Sequence, residues 1–171
     1  MPGLLLFAET DSAALLPAFW EQITAARQLA AHLGGPLRVA ALGWNLDAAG
    51  DVRRAGADEV LLVQDSRLAE PWPDAHLTAF AALCRDLAPA AIVLPRTLLG
   101  MEVAARLAFR LGLPLAQDAT SLQIDEGGAL TITRPVFGGA AVATVRLGAG
   151  PWIIVPRPGA SPGGQMAGGF R

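Results

Sequence analysis

The chain has 171 residues, a formal net charge of −2 and a hydrophobic fraction of 53%, which suits one domain with a proper core. All of its basic residues are Arg, which excludes Schiff-base and phosphate-loop lysine chemistry, and its one cysteine, Cys84, excludes an intrachain disulfide or a cysteine metal cluster. Scattered Arg residues give no nucleic-acid stripe, and no apolar stretch reaches the ~18–20 residues of a membrane span.

The opening run "LLLFAE" (4–9) is short, continuous and apolar, the pattern of a buried parallel strand. It has no basic flank and Glu9 interrupts it, so it is not read as a signal peptide. Phe19, Ile23, Ala26, Ala30 and Leu33 then share one helical face, which Gly34-Gly35 terminates. "RVAALG" (38–43) is a second strand, and Asp47 is positioned to cap a short helix ending near Gly56. "EVLLVQ" (59–64) is a third strand. Asp74 opens a helix that buries Leu77, Phe80, Cys84 and Leu87 and ends at Pro89. His76, just inside that helix, is expected in solvent, and Cys84 in the core. "AIVLP" (91–95) is a fourth strand, followed by a helix over 101–113 with Ala104, Leu107, Ala108 and Leu111 on one face.

After residue 118 the period changes to two. Leu122 and Ile124 alternate with polar residues, Glu126-Gly127-Gly128 forms a turn, and Leu130 and Ile132 alternate with Thr131 and Thr133. Gly138-Gly139 separates this hairpin from "AVATVRL", and "PWIIVPR" follows. The expectation is an α/β fold: a parallel, doubly wound sheet covered by helices on both faces, with an antiparallel C-terminal β extension. The domain is placed at 1–157, with a Gly/Pro-rich, linker-like tail at 158–171.

In such a sheet, ligands collect at the carboxyl ends of the strands. Glu9, Asn45, Arg96, Thr97 and Gly100 fall there, and Arg96-Thr97 to Gly100 stands just before a helix N-terminus that can hold an anion. The alternative is an ordinary turn and helix start. No Gly-rich phosphate loop and no nucleophile elbow is present. Glu9 and Glu102 are read as solvated rather than paired. The sequence offers no catalytic residue and no metal-ligand set.

Several segments, in order, resemble the N-terminal domain of the electron transfer flavoprotein alpha subunit. These are "LLLFAETD", "ITAARQLA" (23–30), "AGADEVLLVQD" (55–65), "LLGMEVAARLAFRLGLPLAQDATSL" (98–122, reaching Asp118), "TRPVFGGAAVATVR" (133–146) and "RPGASP" (157–162). Met101, Glu102, Phe137 and Ala140 depart from the family's usual Arg, Asp, Tyr and Asn. The resemblance implies a fold of the adenine nucleotide alpha hydrolase type. It implies a scaffold and interface module for flavin-based electron transfer. FAD would be held mainly by a domain beyond these 171 residues or by a partner. The partner would be a beta-like subunit or a separate FAD domain, or the chain would self-associate. Arg134, Gly138, Gly139, Arg146 and Arg157 are the expected interface or cofactor-proximal residues. The rival expectation is a stand-alone protein binding AMP or another adenine nucleotide through Glu9, Asn45, Arg96, Thr97 and Gly100. Either way, a soluble cytoplasmic protein without nucleic-acid partners is expected.

Overall fold

The computed structural model describes residues 2–11, 14–46 and 49–162. Asp47 and tail residues 163–171 lie outside the described residues. The first strand, β1 (Leu4–Ala8), is buried along its whole length, as five consecutive apolar residues require. A two-rung hairpin, β2 (Thr10–Asp11) with β3 (Ala14–Leu15), follows it. Then come α1 (Pro17–Leu33), β4 (Leu37–Gly43), α2 (Ala49–Arg54), β5 (Glu59–Gln64), α3 (Pro73–Leu87), β6 (Ala91–Val93) and α4 (Leu98–Leu111). The C-terminal part contributes β7 (Leu115–Ile124), β8 (Ala129–Val136), β9 (Ala141–Ala149) and β10 (Trp152–Pro162).

Eight strands form one sheet in the order β5-β4-β1-β6-β10-β7-β8-β9. The strands from β5 to β7 are parallel, and β8 and β9 add as antiparallel neighbours. The expected doubly wound fold with an antiparallel extension is therefore present. One component differs: "PWIIVPR" is not part of the extension. As β10 it returns to the middle of the sheet and runs parallel between β6 and β7. Continuous burial of Trp152–Val155, rather than alternation, is the signature of such a two-sided strand. The strand also crosses the expected boundary at 157 and reaches Pro162.

Each face of the sheet carries its own core. α1 buries Phe19, Ile23, Ala26, Leu29 and Ala30 on one face, together with Val52 of α2, against Leu4, Leu6, Val39, Val93 and Ile154. α3 and α4 bury Phe80, Cys84, Val103 and Leu107 on the other, against Leu5, Phe7, Leu42, Ile92 and Val155. Glycines in the left-handed conformation at 34 and 112 end α1 and α4. His76 corrects the expectation of a solvated residue. It is 4% exposed, stands edge-on to Phe7 and turns Nδ1 to the Trp72 carbonyl at 3.0 Å. Cys84 lies in the core as expected, and burial pushes its thiol up to about 12. Among the described residues, no helix is long and apolar enough to cross a membrane.

Candidate functional site

The strand order reverses at β1. The chain passes from β1 outward to β4 and β5, then crosses to β6 on the other side. The crevice at that switch lies between the carboxyl ends of β1 and β6, where Glu9 and Thr97 stand. Thr97 caps α4 by accepting the Gly100 amide at 2.9 Å, and its hydroxyl donates to a Glu9 carboxylate oxygen. Gly100 is held to glycine by a close approach: a Cβ there would stand 2.2 Å from the Pro95 carbonyl oxygen. Burial pushes the Glu9 carboxyl above its ordinary value, while the Thr97 hydroxyl and the nearby His76 pull it back. Glu102 belongs to a different group: it pairs with Arg106 one turn along α4, on the surface.

The nucleotide-type residues are thus divided. Glu9, Thr97 and Gly100 come together across the switch. Asn45 lies exposed at the end of β4, in the left-handed region at φ 55. Arg96 turns the other way and gives its Nε–H to Asp118 at 2.5 Å. That carboxylate is within reach because β7 carries a bulge. Val155 opposes Gln117 and Pro156 opposes Ala119, so Asp118 is the extra residue, at φ 59.

A second irregularity lies beside the first. Between the pairs Pro156–Ala119 and Ser161–Ser121, the four residues Arg157–Ala160 oppose Thr120 alone. This loop of β10 and α1 enclose a cavity of about 50 Å³ lined by Gln22, Glu21, Arg96, Pro156, Arg157 and Ala160, among others. Gln22 is the residue that the sequence reading passed over. It sits on the apolar stripe of α1, one turn after Phe19, and is 6% exposed. Its Nε2 donates to the Leu94 carbonyl at 3.1 Å, and its buried Oε1 has no partner among the described residues. Strand alternation explains the bond. Leu94 donates to Ile154, so the β10 amide due to face the Leu94 carbonyl is that of residue 156. Residue 156 is proline and has no N–H, and the Gln22 amide takes its place.

The interface-type residues lie elsewhere, apart from Arg157. Arg134 is on β8 opposite Ala143, half-buried, and its buried Nε has no partner among the described residues. Arg146 is on β9 and forms an exposed ion pair with Asp125 at 2.7 Å. Gly138 and Gly139 make the exposed β8–β9 turn, at φ 64 and 93, which a β-carbon would strain. Phe137 beside them is also left-handed, at φ 52, and is 86% exposed. Among the described residues, β9 forms the end of the sheet, paired with β8.

The model of the electron transfer flavoprotein domain matches residues 4–169. The chain is 33% identical over 144 residues to protein FixB of Clostridium saccharobutylicum, covering 84% of this chain and 43% of the relative. It is 33% identical over 142 residues to the electron transfer flavoprotein alpha subunit of Thermoanaerobacterium thermosaccharolyticum, covering 82% and 43%. The alpha subunit of Syntrophomonas wolfei is 28% identical over 169 residues, covering 98% and 52%. The chain thus spans about half or less of the length of these relatives. With the family's domain matched along almost its whole length, the chain belongs to the electron transfer flavoprotein family.

Proposed function

We propose that this chain is the scaffold and interface module of an alpha-type electron transfer flavoprotein. It would act in flavin-based electron transfer with a beta-like subunit or a separate FAD-holding domain. The observation that carries this reading is the β8–β9 hairpin. Phe137 and Val142 are 86% and 65% exposed, and among the described residues its outer strand has a free edge and the buried Arg134 Nε–H lacks an acceptor. An unpaired strand edge beside exposed apolar side chains is a surface for another chain. A carbonyl or carboxylate from that chain would satisfy Arg134.

The flavin is assigned to the partner. The cavity beside Arg96 and Arg157, about 50 Å³, is far too small for an isoalloxazine. At the switch crevice, the half-buried Glu9 carboxylate stands beside Thr97 at the start of α4, where a carboxylate repels a phosphate. The chain's role is therefore to position and cover, and the redox step belongs to the cofactor.

The test is co-expression with the beta-like subunit and any FAD domain of the same host. Native mass and absorbance from 350 to 500 nm are then read on the purified complex. A yellow heterocomplex that Phe137→Ala and Arg134→Ala each weaken about tenfold supports the reading, since buried aromatic and Arg anchors carry that much. If both variants bind as the parent does, the hairpin is not the interface. A colourless chain without a partner would return attention to adenine-nucleotide binding, tested by calorimetry with AMP and ATP.

A further inference from the structure

We propose that the cavity between α1 and the ends of β6 and β10 binds a small oxyanion that carries a proton, namely hydrogen phosphate. The proposal does not rest on the electron-transfer reading. Two bulges meet at this place, Asp118 on β7 and Arg157–Ala160 on β10. Bulges at the carboxyl end of a parallel sheet re-aim side chains, and here they bring Arg96 and Arg157 to the lining of one small space. Asp118 holds Arg96 through its Nε. Arg157 follows Pro156 and precedes Pro158, which fix the φ of the chain on either side of it. A cavity of about 50 Å³ lined by two Arg residues suits an oxyanion head and leaves no room for a nucleoside.

The other polar groups decide which oxyanion. Gln22 has one orientation available, because Nε2 must face the Leu94 carbonyl. Its Oε1 is then a buried acceptor without a donor. Leaving such a group unmade is costly, so a donor from the cavity is strongly favoured. Glu21 adds a carboxylate to the same lining. An occupant must therefore offer negative oxygens to Arg96 and Arg157 and an O–H to Gln22. Phosphate at neutral pH carries a P–OH. Sulfate has the same shape and no proton, so it would set a lone pair against Oε1.

The test is calorimetry on the 171-residue chain with inorganic phosphate, glycerol phosphate and sulfate, at neutral pH and one ionic strength. Phosphate is expected to bind about tenfold or more tightly than sulfate, the worth of one buried hydrogen bond made or missed. Arg157→Gln should weaken both anions and leave their ratio standing. Gln22→Leu should bring the ratio close to one, and because Gln22 also supports Leu94 the parent's own ratio decides the matter if that variant fails to fold. Glycerol phosphate, mostly the proton-free dianion at neutral pH, should bind no better than sulfate, and binding as tight as that of free phosphate would overturn the requirement for a P–OH. Equal affinity for sulfate and phosphate would reduce the site to a general cationic patch, and no binding of either at millimolar concentration would remove it.

Discussion

The pairing of Gln22 with a missing proline amide gives a quantitative prediction. Replacing Gln22 by Leu removes the donor to the Leu94 carbonyl and leaves that oxygen unpaired in the middle of the sheet, which costs about 1–3 kcal/mol. The same substitution removes the orphaned Oε1, which returns a similar amount. The single variant is therefore a poor readout, since the two effects oppose. The pair is a better one. Pro156→Ala restores a backbone N–H facing Leu94, so in that background the Gln22 amide is redundant and Gln22→Leu loses nothing at Leu94. The two substitutions should couple by about 1–2 kcal/mol, with Gln22→Leu more harmful in the parent than in the Pro156→Ala background. The assay is urea unfolding of the parent, both single variants and the double variant, with m-values compared to confirm one transition. Effects that add to within about 0.5 kcal/mol would show that Gln22 and Pro156 do not share the Leu94 carbonyl, and the ladder argument would fail.

Three further outcomes follow from other positions. Gly100→Ala should cost about 1–3 kcal/mol in the same assay, because the added carbon meets the Pro95 carbonyl at 2.2 Å and the backbone must move; a neutral result would mean the start of α4 shifts freely. Glu9 has a folded pKa above its unfolded 4.5, so its protonated form favours the fold and that contribution is lost as pH rises through the folded value. Glu9→Gln should accordingly gain on the parent as pH rises above 4.5, and a difference that does not change with pH would place Glu9 in ordinary solvent. Asp125 is the opposite case: hydrogen bonds from Arg146 and from the Ala129 amide hold its carboxyl below 3.8, so its contribution is present at neutral pH and lost in acid. Asp125→Asn should be less stable than the parent at neutral pH, with the gap closing as both are acidified.

The parallel part of the fold was legible because its grammar is local. Runs such as Leu4–Ala8 and the apolar stripes of α1, α3 and α4 state their burial in consecutive residues. The hairpin of β7 and β8 was legible for the same reason, through alternation around Gly127-Gly128. The place of β10 was not. Nothing local to Trp152–Val155 says which strands flank it; the signal is burial without alternation, and its neighbours on β7 and β6 come from 38 and 61 positions away. His76 was misread because a polar residue in a first helical turn is ordinarily solvated, whereas here α3 lays that turn against Phe7. Gln22 was overlooked for a related reason: its meaning depends on a proline 134 positions later, at 156.

These cases share a physical cause that also bears on function. A side chain's role in a parallel sheet is set where a strand's regular pairing stops, and that point is fixed by the register of distant strands. β10 stops twice near its carboxyl end, first at Pro156, which lacks an amide, and then at Arg157–Ala160, which have no partners on β7. Both interruptions lie at the end of the sheet where α/β folds hold ligands, while the regular ends of β4 and β5 are closed by the chain's own groups: Thr10 donates to the Leu42 carbonyl and Gln64 accepts the Leu46 amide. Polar groups left unanswered therefore mark two places, the Gln22–Arg157 cavity and the Arg134 hairpin. Strand-end position alone selects Asn45 and Thr97, which lie at the mouth of the sheet but leave no buried polar atom unpartnered. The unsatisfied atom is the more discriminating signal, because position is shared by every strand whereas an unmade hydrogen bond costs stability unless something arrives to make it.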